Sequence, residues 1–257
     1  EQIDLVLHLL IGFFEASENI DREEFGAFCR HIFEGYPIES CYWIPAWSAN
    51  DAPTFTARIQ AEGFPDFSIR RFADDNRPVL DSADPIYPAV YVESASRSSA
   101  TLGYDFYSHP ILRETLVETL RSGSDHACMV SVPTANSSEP TGFFVFAPIS
   151  HPRQGGLVCF SINLEALFKG SNLSSETAAI AATLFELQPD KKPHALACSS
   201  CDQCDAMLDA ELSARTPLFA FGNTYMMLFT AEPTWLGANA QHAAWWILAI
   251  GLTLALL

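Results

Sequence analysis

The last 15 residues constrain the fold more than any other segment, because they form an uninterrupted apolar run. Residues 243–257 read AAWWILAIGLTLALL, carry no charge and include one polar side chain, that of Thr253. A helix packed on a protein core normally keeps a polar face, and this run has none. Trp245 and Trp246 stand at its start, as aromatic residues do at a membrane interface. We therefore predict that residues 242–257 begin a transmembrane helix, with a buried C-terminal helix as the alternative.

The charge of the chain indicates which side of a membrane the rest occupies. Lys and Arg number 14 against 31 Asp and Glu, a net charge of −17, and neither Lys nor Arg follows Arg215. The positive-inside rule disfavours the cytoplasm for such a flank, and an acidic body avoids the anionic inner leaflet. The sequence thus predicts a periplasmic or extracellular domain tethered to the cell inner membrane, cut from a longer protein.

Composition and motifs argue against several function classes. The hydrophobic fraction of 49% is too high for a disordered chain. The acidic balance argues against nucleic-acid binding, which depends on clustered Lys and Arg. No dinucleotide or P-loop glycine pattern occurs, and neither does H-E-x-x-H or G-x-S-x-G. We therefore expect neither a cofactor nor an enzyme activity in this segment.

The start of the chain predicts a long helix. Apolar residues recur at close to a 3.5-residue period from Leu5 to Phe33, and the first proline is Pro37. We interpret residues 1–35 as a stalk helix. Its near-heptad spacing predicts that two copies pair through it as a homodimer.

The remainder alternates between helix and strand patterns, which predicts an α/β (α+β) fold. Residues 108–123 are the clearest helix, with Ser108 as its N-cap and Gly123 at its end. An earlier helix starts at residue 52 and closes at Gly63. The predicted strands cover residues 86–94, 127–132, 142–149, 156–162 and 224–232.

Several segments, taken in order, resemble one family. They are WIP at 43–45, YPAVYVES at 87–94, LGYDFYSHPILRETLVETLRSG at 102–123 and GLVCFSINLEALF at 156–168. With the stalk and the apolar run, they make the chain resemble a bacterial CHASE domain, the extracellular sensory module of bacterial and plant receptors. The resemblance implies two tandem PAS-like units after the stalk. Residues 36–162 would be the membrane-distal, ligand-sensing unit and residues 163–241 the membrane-proximal one.

The resemblance also implies a topology and a function. One membrane span would precede residue 1 and another would start near residue 242. A cytoplasmic output module would follow, such as a diguanylate cyclase, a histidine kinase (as in two-component systems) or an adenylyl cyclase. The segment would then bind a small molecule and pass the signal through the membrane. The alternative is a dimerisation or interaction module without a small ligand.

A ligand site follows from the same resemblance. In the plant receptors an Asp just before the helix hydrogen-bonds an adenine-like ligand, and Asp105 matches that position, next to Tyr104. A carboxylate at the edge of an apolar cavity can orient ligand N–H groups. Asp105 could equally interact with the N-terminal amides of the helix that follows. The expected cavity walls are alternate strand residues, each of which has core packing without ligand contact as the alternative: Ala127, Met129, Phe144, Phe146, Leu157, Cys159 and Ser161.

One departure from the plant pattern changes the expected ligand. The plant receptors have two glycines where this chain has Cys159 and Phe160. Glycines leave room for the ligand, whereas a thiol and an aromatic ring would fill part of that space. We therefore predict that the domain does not bind cytokinins in the plant manner.

The chain has seven cysteines, an odd number that cannot pair completely within one chain. Cys198, Cys201 and Cys204 form a CxxCxxC run with His194 upstream, so these four could hold a soft metal or sense redox state. A surface loop with a disulfide or free thiols is the other interpretation. Cys128 and Cys159 lie in apolar runs and are expected to be buried as small hydrophobic residues.

Overall fold

The computed structural model describes residues 2–71, 85–96, 101–131, 141–151, 155–170, 180–188, 192–199 and 213–231. The chain divides into two compact units, Glu1–Asn163 and Leu164–Leu257. Helices and antiparallel sheets occur in both, so the fold is of the mixed α+β class, as predicted. Within the ranges described, no helix is long and apolar enough to cross a membrane. The predicted transmembrane segment, residues 242–257, lies outside them.

The predicted stalk helix is two helices, α1 (Gln2–Ala16) and α2 (Arg22–Gly35). The interruption has a local cause, a capping box at the start of α2. The Asp21 carboxylate accepts a hydrogen bond from the Glu24 amide at 2.8 Å, and the Glu24 carboxylate accepts one from the Asp21 amide at 3.1 Å. Because this exchange satisfies free amides at a helix start, it favours a new helix at residue 22 over continuation of the first.

The first unit is built on a five-stranded antiparallel sheet with the order β5-β1-β9-β8-β7. The strands of this unit are β1 (Ile38–Ile44), β2 (Trp47–Ser48), β3 (Arg70–Arg71), β4 (Pro85–Ile86), β5 (Tyr91–Ser94), β6 (Tyr104–Asp105), β7 (His126–Ser131), β8 (Thr141–Ile149) and β9 (Gly156–Ile162). Strands β2 and β4 form one short pair outside the main sheet, and β3 and β6 form another. The predicted strand over 86–94 is thus shortened to β5, which starts after Pro88 and lies at the sheet edge, where a nearby proline is tolerated.

Two further helices belong to this unit, α3 (Ala52–Ala61) and α4 (Pro110–Ser122). Helix α4 ends at Gly123, whose φ of +68° is the left-handed conformation that glycine adopts without a steric penalty. Its N-cap is His109 and not Ser108 as predicted, because the Ser108 hydroxyl instead donates to the Asp105 carbonyl at 2.6 Å.

The two faces of the five-stranded sheet carry different layers. On the face that we call the α4 face, Tyr42 and Ile44 of β1 join a buried cluster with Leu112 and Leu116 of α4. The opposite face, called the α1 face, carries Trp43, whose ring centroid lies 6.1 Å from that of Phe14 in α1. Because neighbouring strand residues point to opposite faces, one sheet supports a core on each side.

The second unit contains α5 (Leu164–Gly170) and a four-stranded antiparallel sheet of order β11-β10-β13-β12. Its strands are β10 (Ile180–Leu187), β11 (His194–Cys198), β12 (Ser213–Ala220) and β13 (Asn223–Ala231). Strands β12 and β13 are joined by Phe221 and Gly222, both at positive φ, which suits a tight hairpin. The predicted final strand over 224–232 corresponds to β13, and the PAS-like character of the two units stays a prediction.

Candidate ligand-binding site

Asp105 is fully buried at the end of β6, and its two carboxylate oxygens have different surroundings. Oδ1 accepts hydrogen bonds from the backbone amides of Tyr87, at 2.9 Å, and Tyr107, at 3.1 Å. Oδ2 is buried and has no hydrogen-bond partner among the described residues. Most buried polar atoms in folded proteins are paired. Asp105 therefore holds one oxygen as a structural acceptor and leaves the other available.

The position of Asp105 explains the electrostatics of its carboxyl group. Burial raises the pKa of Asp105, while the amides of Tyr87 and Tyr107 and the charge of Arg71 lower it in part. The net direction is upward because the cost of burying the ionised carboxylate outweighs these favourable interactions. A ligand N–H or O–H placed at Oδ2 would supply a further donor to the ionised form.

The local interpretation of Asp105 has a counterpart in this geometry, and the ligand role stays a prediction. Its carboxylate does bind a local amide, that of Tyr107, in the short 3-10 turn Phe106–Ser108 that precedes α4. The bond to Tyr87 joins a second segment to the same oxygen. The local role occupies Oδ1 alone, so it leaves the ligand role of Oδ2 open.

The apolar cluster of the α4 face contains four of the predicted wall residues. Phe144, Phe146, Leu157 and Cys159 belong to it. Ser161 is buried and lies opposite Phe144 in the β8–β9 register, so it shares their face. Tyr104 packs against the cluster, and its ring centroid lies 4.3 Å from the Arg70 guanidinium carbon.

Ala127 and Met129 are the exceptions, and here the prediction is wrong about the face. Cys128 pairs with Phe144 across β7 and β8, so Cys128 and Val130 point into the cluster while Ala127 and Met129 point to the α1 face. A one-residue offset on a strand exchanges the two faces. The apolar run over 127–132 contains no alternation of polar and apolar residues that could have revealed this.

Aromatic rings fill much of the space beside Asp105. The Phe106 ring centroid lies 5.5 Å from that of Tyr42, 6.2 Å from that of Phe144 and 6.0 Å from that of Phe146. Tyr42 and Phe106 were not among the predicted wall residues, although Phe106 directly follows Asp105. Burial raises the pKa of Tyr42 to about 12, so its hydroxyl stays protonated at neutral pH.

The two residues that replace the plant glycines are both fully buried but point to different faces. Cys159 belongs to the cluster, and burial raises the pKa of its thiol well above the usual range. Phe160 pairs with Cys41 and Val145, and so projects to the α1 face. Of the two residues, only Cys159 occupies space on the α4 face, where Asp105 lies. The absence of cytokinin binding stays a prediction.

The cysteines fall into two groups. Cys128 and Cys159 are both buried, which confirms the prediction for them. His194 and Cys198 stand at the two ends of β11, with His194 exposed, whereas Cys201 and Cys204 lie outside the described residues. The metal or redox role of this set therefore stays a prediction.

A different group brings possible metal ligands together, two of them on α1. Ligand atoms of Asp4, His8 and Asp125 all lie within 4.8 Å of one another. The His8 Nδ1 atom, however, lies 2.9 Å from the Asp4 carbonyl oxygen. That contact and the two carboxylates account for the raised pKa of His8 without an ion.

Comparison with known proteins identifies the family. A family model for the CHASE domain matches residues 18–196 of the chain. The chain belongs to the CHASE domain family. This CHASE domain is therefore an extracellular sensor domain and is not itself catalytic. None of the curated protein sequences compared with the chain matches it.

Solved structures similar to this CHASE domain share little sequence with it. One is an extracellular ligand binding receptor from Desulfohalobium retbaense, with 9% identity and a TM-score of 0.48, over 89% of this chain and 36% of that one. Another is the ligand binding domain of a Pseudomonas aeruginosa amino acid chemoreceptor in complex with GABA, with 12% identity and a TM-score of 0.45, over 90% of each chain. A third is the periplasmic sensory domain of a Campylobacter jejuni chemoreceptor, with 10% identity and a TM-score of 0.43, over 90% of this chain and 86% of that one.

Proposed function

We propose that the chain is the ligand-sensing domain of a receptor anchored in the inner membrane, with Asp105 as the residue that contacts the ligand. The observation that carries this proposal is the unpartnered Oδ2 of Asp105, fully buried beside an apolar and aromatic cluster. In a sensor domain, a preorganised acceptor in such a place is suited to orient a small ligand.

The chemistry of the site indicates the class of ligand. A carboxylate oxygen forms its strongest hydrogen bonds with N–H or O–H donors of the ligand. The rings of Tyr42, Phe106 and Phe144 favour an apolar or aromatic body. The ligand is therefore a small donor-bearing molecule with a flat or apolar part, and bringing it in requires these rings to shift.

The same proposal includes the signalling route. Ligand binding at Asp105 would alter the packing of the five-stranded sheet, and the second unit would pass the change through β13 to a following membrane span. The output module would be a diguanylate cyclase, a histidine kinase or an adenylyl cyclase. The ligand can shift the receptor only by its difference in affinity for the two states.

Pairing through α1 is part of the proposal, and one observation favours it. Leu5 and Leu9 lie four residues apart on α1, and their exposed fractions are 58% and 56%. Residues at this spacing lie on one helix face.

A crosslinking experiment in membranes tests this pairing. If Leu5 and Leu9 contact the same residues of a second copy, disulfide crosslinks should form in the Leu5→Cys and Leu9→Cys variants, while the Glu15→Cys variant should crosslink less. Equal crosslinking at all three positions would contradict a paired α1.

A binding screen tests the role of Asp105. The protein is purified from its host, and donor-bearing aromatic compounds, isopentenyladenine among them, are tested by thermal shift and calorimetry. We expect a compound that binds the wild type to bind Asp105→Asn roughly tenfold more weakly or worse. The matched control is Asp66→Asn, which changes an exposed carboxylate.

Two results would count against specific parts of the proposal. Equal affinity for wild type and Asp105→Asn would remove Asp105 from the site. Saturable binding of isopentenyladenine at micromolar concentration would contradict the prediction that cytokinins are not the ligand.

A further inference from the structure

A second cleft lies in the first unit, on the α1 face of the sheet. It has a volume of about 550 Å³ and is bordered by the α1–α2 junction, by β1 and β5, and by α3. This volume is within the usual range of small-molecule sites. The residues that matter for its chemistry are Arg22, Trp43, Trp47, Arg58, Phe64 and Tyr91.

Arg22, the first residue of α2, is held rigidly at this cleft. Its Nη1 donates a hydrogen bond to the Val90 carbonyl at 2.6 Å. Its guanidinium carbon lies 4.1 Å from the ring centroid of Phe64 and 4.7 Å from that of Tyr91. Tyr91 is itself tied down, because its hydroxyl donates to the Ile20 carbonyl at 3.1 Å. Two cation–π contacts and one hydrogen bond thus preorganise the guanidinium before any ligand arrives.

Three hydrogen-bond donors around the cleft lack acceptors. Arg22 Nη2, Trp43 Nε1 and Trp47 Nε1 are all buried and have no partner among the residues that the structure describes. Trp43 is only 6% exposed, so bulk water does not replace the missing acceptor. Burying an N–H group without a partner costs free energy, and three such groups in one cleft are unusual.

The unpartnered donors call for an acceptor, and the charges around the cleft limit how much negative charge that acceptor can carry. Arg58 has a nearby carboxylate, with its Nε atom 3.9 Å from a Glu62 oxygen, and Asp21 is occupied by the capping box of α2. Arg22 forms no ion pair with any described residue. The cleft is lined by two cationic residues, Arg22 and Arg58, and by three acidic ones, Asp21, Glu23 and Glu62, so its lining is not positive overall. These carboxylates disfavour a ligand with two negative charges.

We propose that this cleft is a second ligand site and that it takes a small monocarboxylate with an aromatic or apolar body. The carboxylate would accept hydrogen bonds from Arg22 Nη2 and from the indole N–H groups of Trp43 and Trp47, and because these atoms are buried, the side chains around them would have to shift to let it reach them. The body of the ligand would lie against the rings of Phe64 and Trp47. The site is on the face of the sheet opposite to the Asp105 cluster, so the proposal does not rest on the role of Asp105.

Calorimetry with simple probes tests the proposal on the whole chain. The probes are benzoate, phenylacetate and 3-phenylpropanoate, and phenylacetamide is the neutral analogue. We expect at least one carboxylate to bind with a dissociation constant below about 10 mM. Arg22→Gln should weaken that binding roughly tenfold or more, because it removes a charge-assisted hydrogen bond. Arg30→Gln, which changes an exposed residue on the same helix, should leave it unchanged.

A second variant covers the case in which Arg22→Gln fails to fold. The double variant Trp43→Phe with Trp47→Phe keeps the aromatic rings and removes both indole N–H groups, so it should also weaken binding of the carboxylate. The proposal is overturned if none of the three carboxylates binds saturably. It is also overturned if phenylacetamide binds as tightly as phenylacetate, or if affinity is unchanged in the variants that fold.

Discussion

The two faces of the five-stranded sheet present opposite chemistry within one unit. The α4 face carries a buried acceptor, Asp105 Oδ2, without a donor. The α1 face carries buried donors, on Arg22, Trp43 and Trp47, without an acceptor. On the α4 face aromatic rings fill the space beside the acceptor, whereas on the α1 face the residues that carry the donors line a cleft of about 550 Å³.

This difference shows how a single strand contributes residues to both faces. Tyr42 and Trp43 are neighbours on β1, yet they belong to opposite faces because strand side chains alternate. A ligand with a donor suits the α4 face and an anion suits the α1 face. Substitutions confined to one face can therefore test one proposed site without altering the other.

The largest expected effect tests whether the α4 face is a packed core. Phe106 is fully buried among three aromatic rings, so Phe106→Ala should lower the free energy of unfolding by about 3–5 kcal/mol. Urea denaturation measures this. The control is Phe219→Ala, a ring that is 78% exposed, which should change stability by less than about 0.5 kcal/mol. A small loss for Phe106→Ala would mean that this face already contains a loose, ligand-ready space.

The next effect tests the structural role of Asp105. Asp105→Ala leaves the Tyr87 and Tyr107 amides without their acceptor, so it should cost about 1–3 kcal/mol of unfolding free energy. Asp105→Asn keeps an acceptor oxygen and should cost less. Urea denaturation at neutral pH measures the unfolding free energies of both variants. Equal losses would contradict the role given to Oδ1.

A smaller effect tests the helix junction beside the cleft of the α1 face. Asp21→Ala removes the capping box of α2 and should cost about 1 kcal/mol. Asp51→Ala is a matched control, because Asp51 holds the N-cap position of α3 without a side-chain cap hydrogen bond. Thermal unfolding of both variants measures the difference. If Asp51→Ala is the more harmful change, the capping box does not explain the break between α1 and α2.

The subtlest expected signal is the pH dependence that Asp105 adds to stability. Burial raises the pKa of Asp105 above its ordinary value near 3.8. The folded protein therefore binds the proton of Asp105 more tightly than the unfolded chain does. The protonated carboxyl group contributes to stability below about pH 3.8, and this contribution is lost as the pH rises through the higher pKa of the folded state. The unfolding free energy of wild type minus that of Asp105→Asn should fall across this window. A difference that grows with pH would mean that the ionised carboxylate is stabilised.

Local signals accounted for most of the elements but not for the break in the N-terminal helix. Helix α4 and the strands β7 to β9 were predicted close to their observed bounds, because proline, glycine and apolar runs act over a few residues. The capping box at Asp21 and Glu24 was also visible in the sequence. The apolar period that continues from Leu5 to Phe33 nevertheless favoured the prediction of one uninterrupted helix.

The candidate site was only partly predictable. Asp105 was recognised from its motif, and its buried position follows from the fold. The residues of β7 that face the cluster are Cys128 and Val130, where Ala127 and Met129 had been predicted. This choice depends on the register of β7 against β8, which an apolar run does not reveal.

The amino-acid sequence alone was sufficient to establish the acidic character, the α+β class and the family. Those properties depend on composition, on short-range patterns and on the order of motifs. The unpartnered atoms depended on tertiary structure. Arg22, Trp43 and Phe64 are far apart along the chain, and packing brings them to one cleft. Whether a buried polar atom finds a partner is a matter of distances between such segments, which no local pattern encodes.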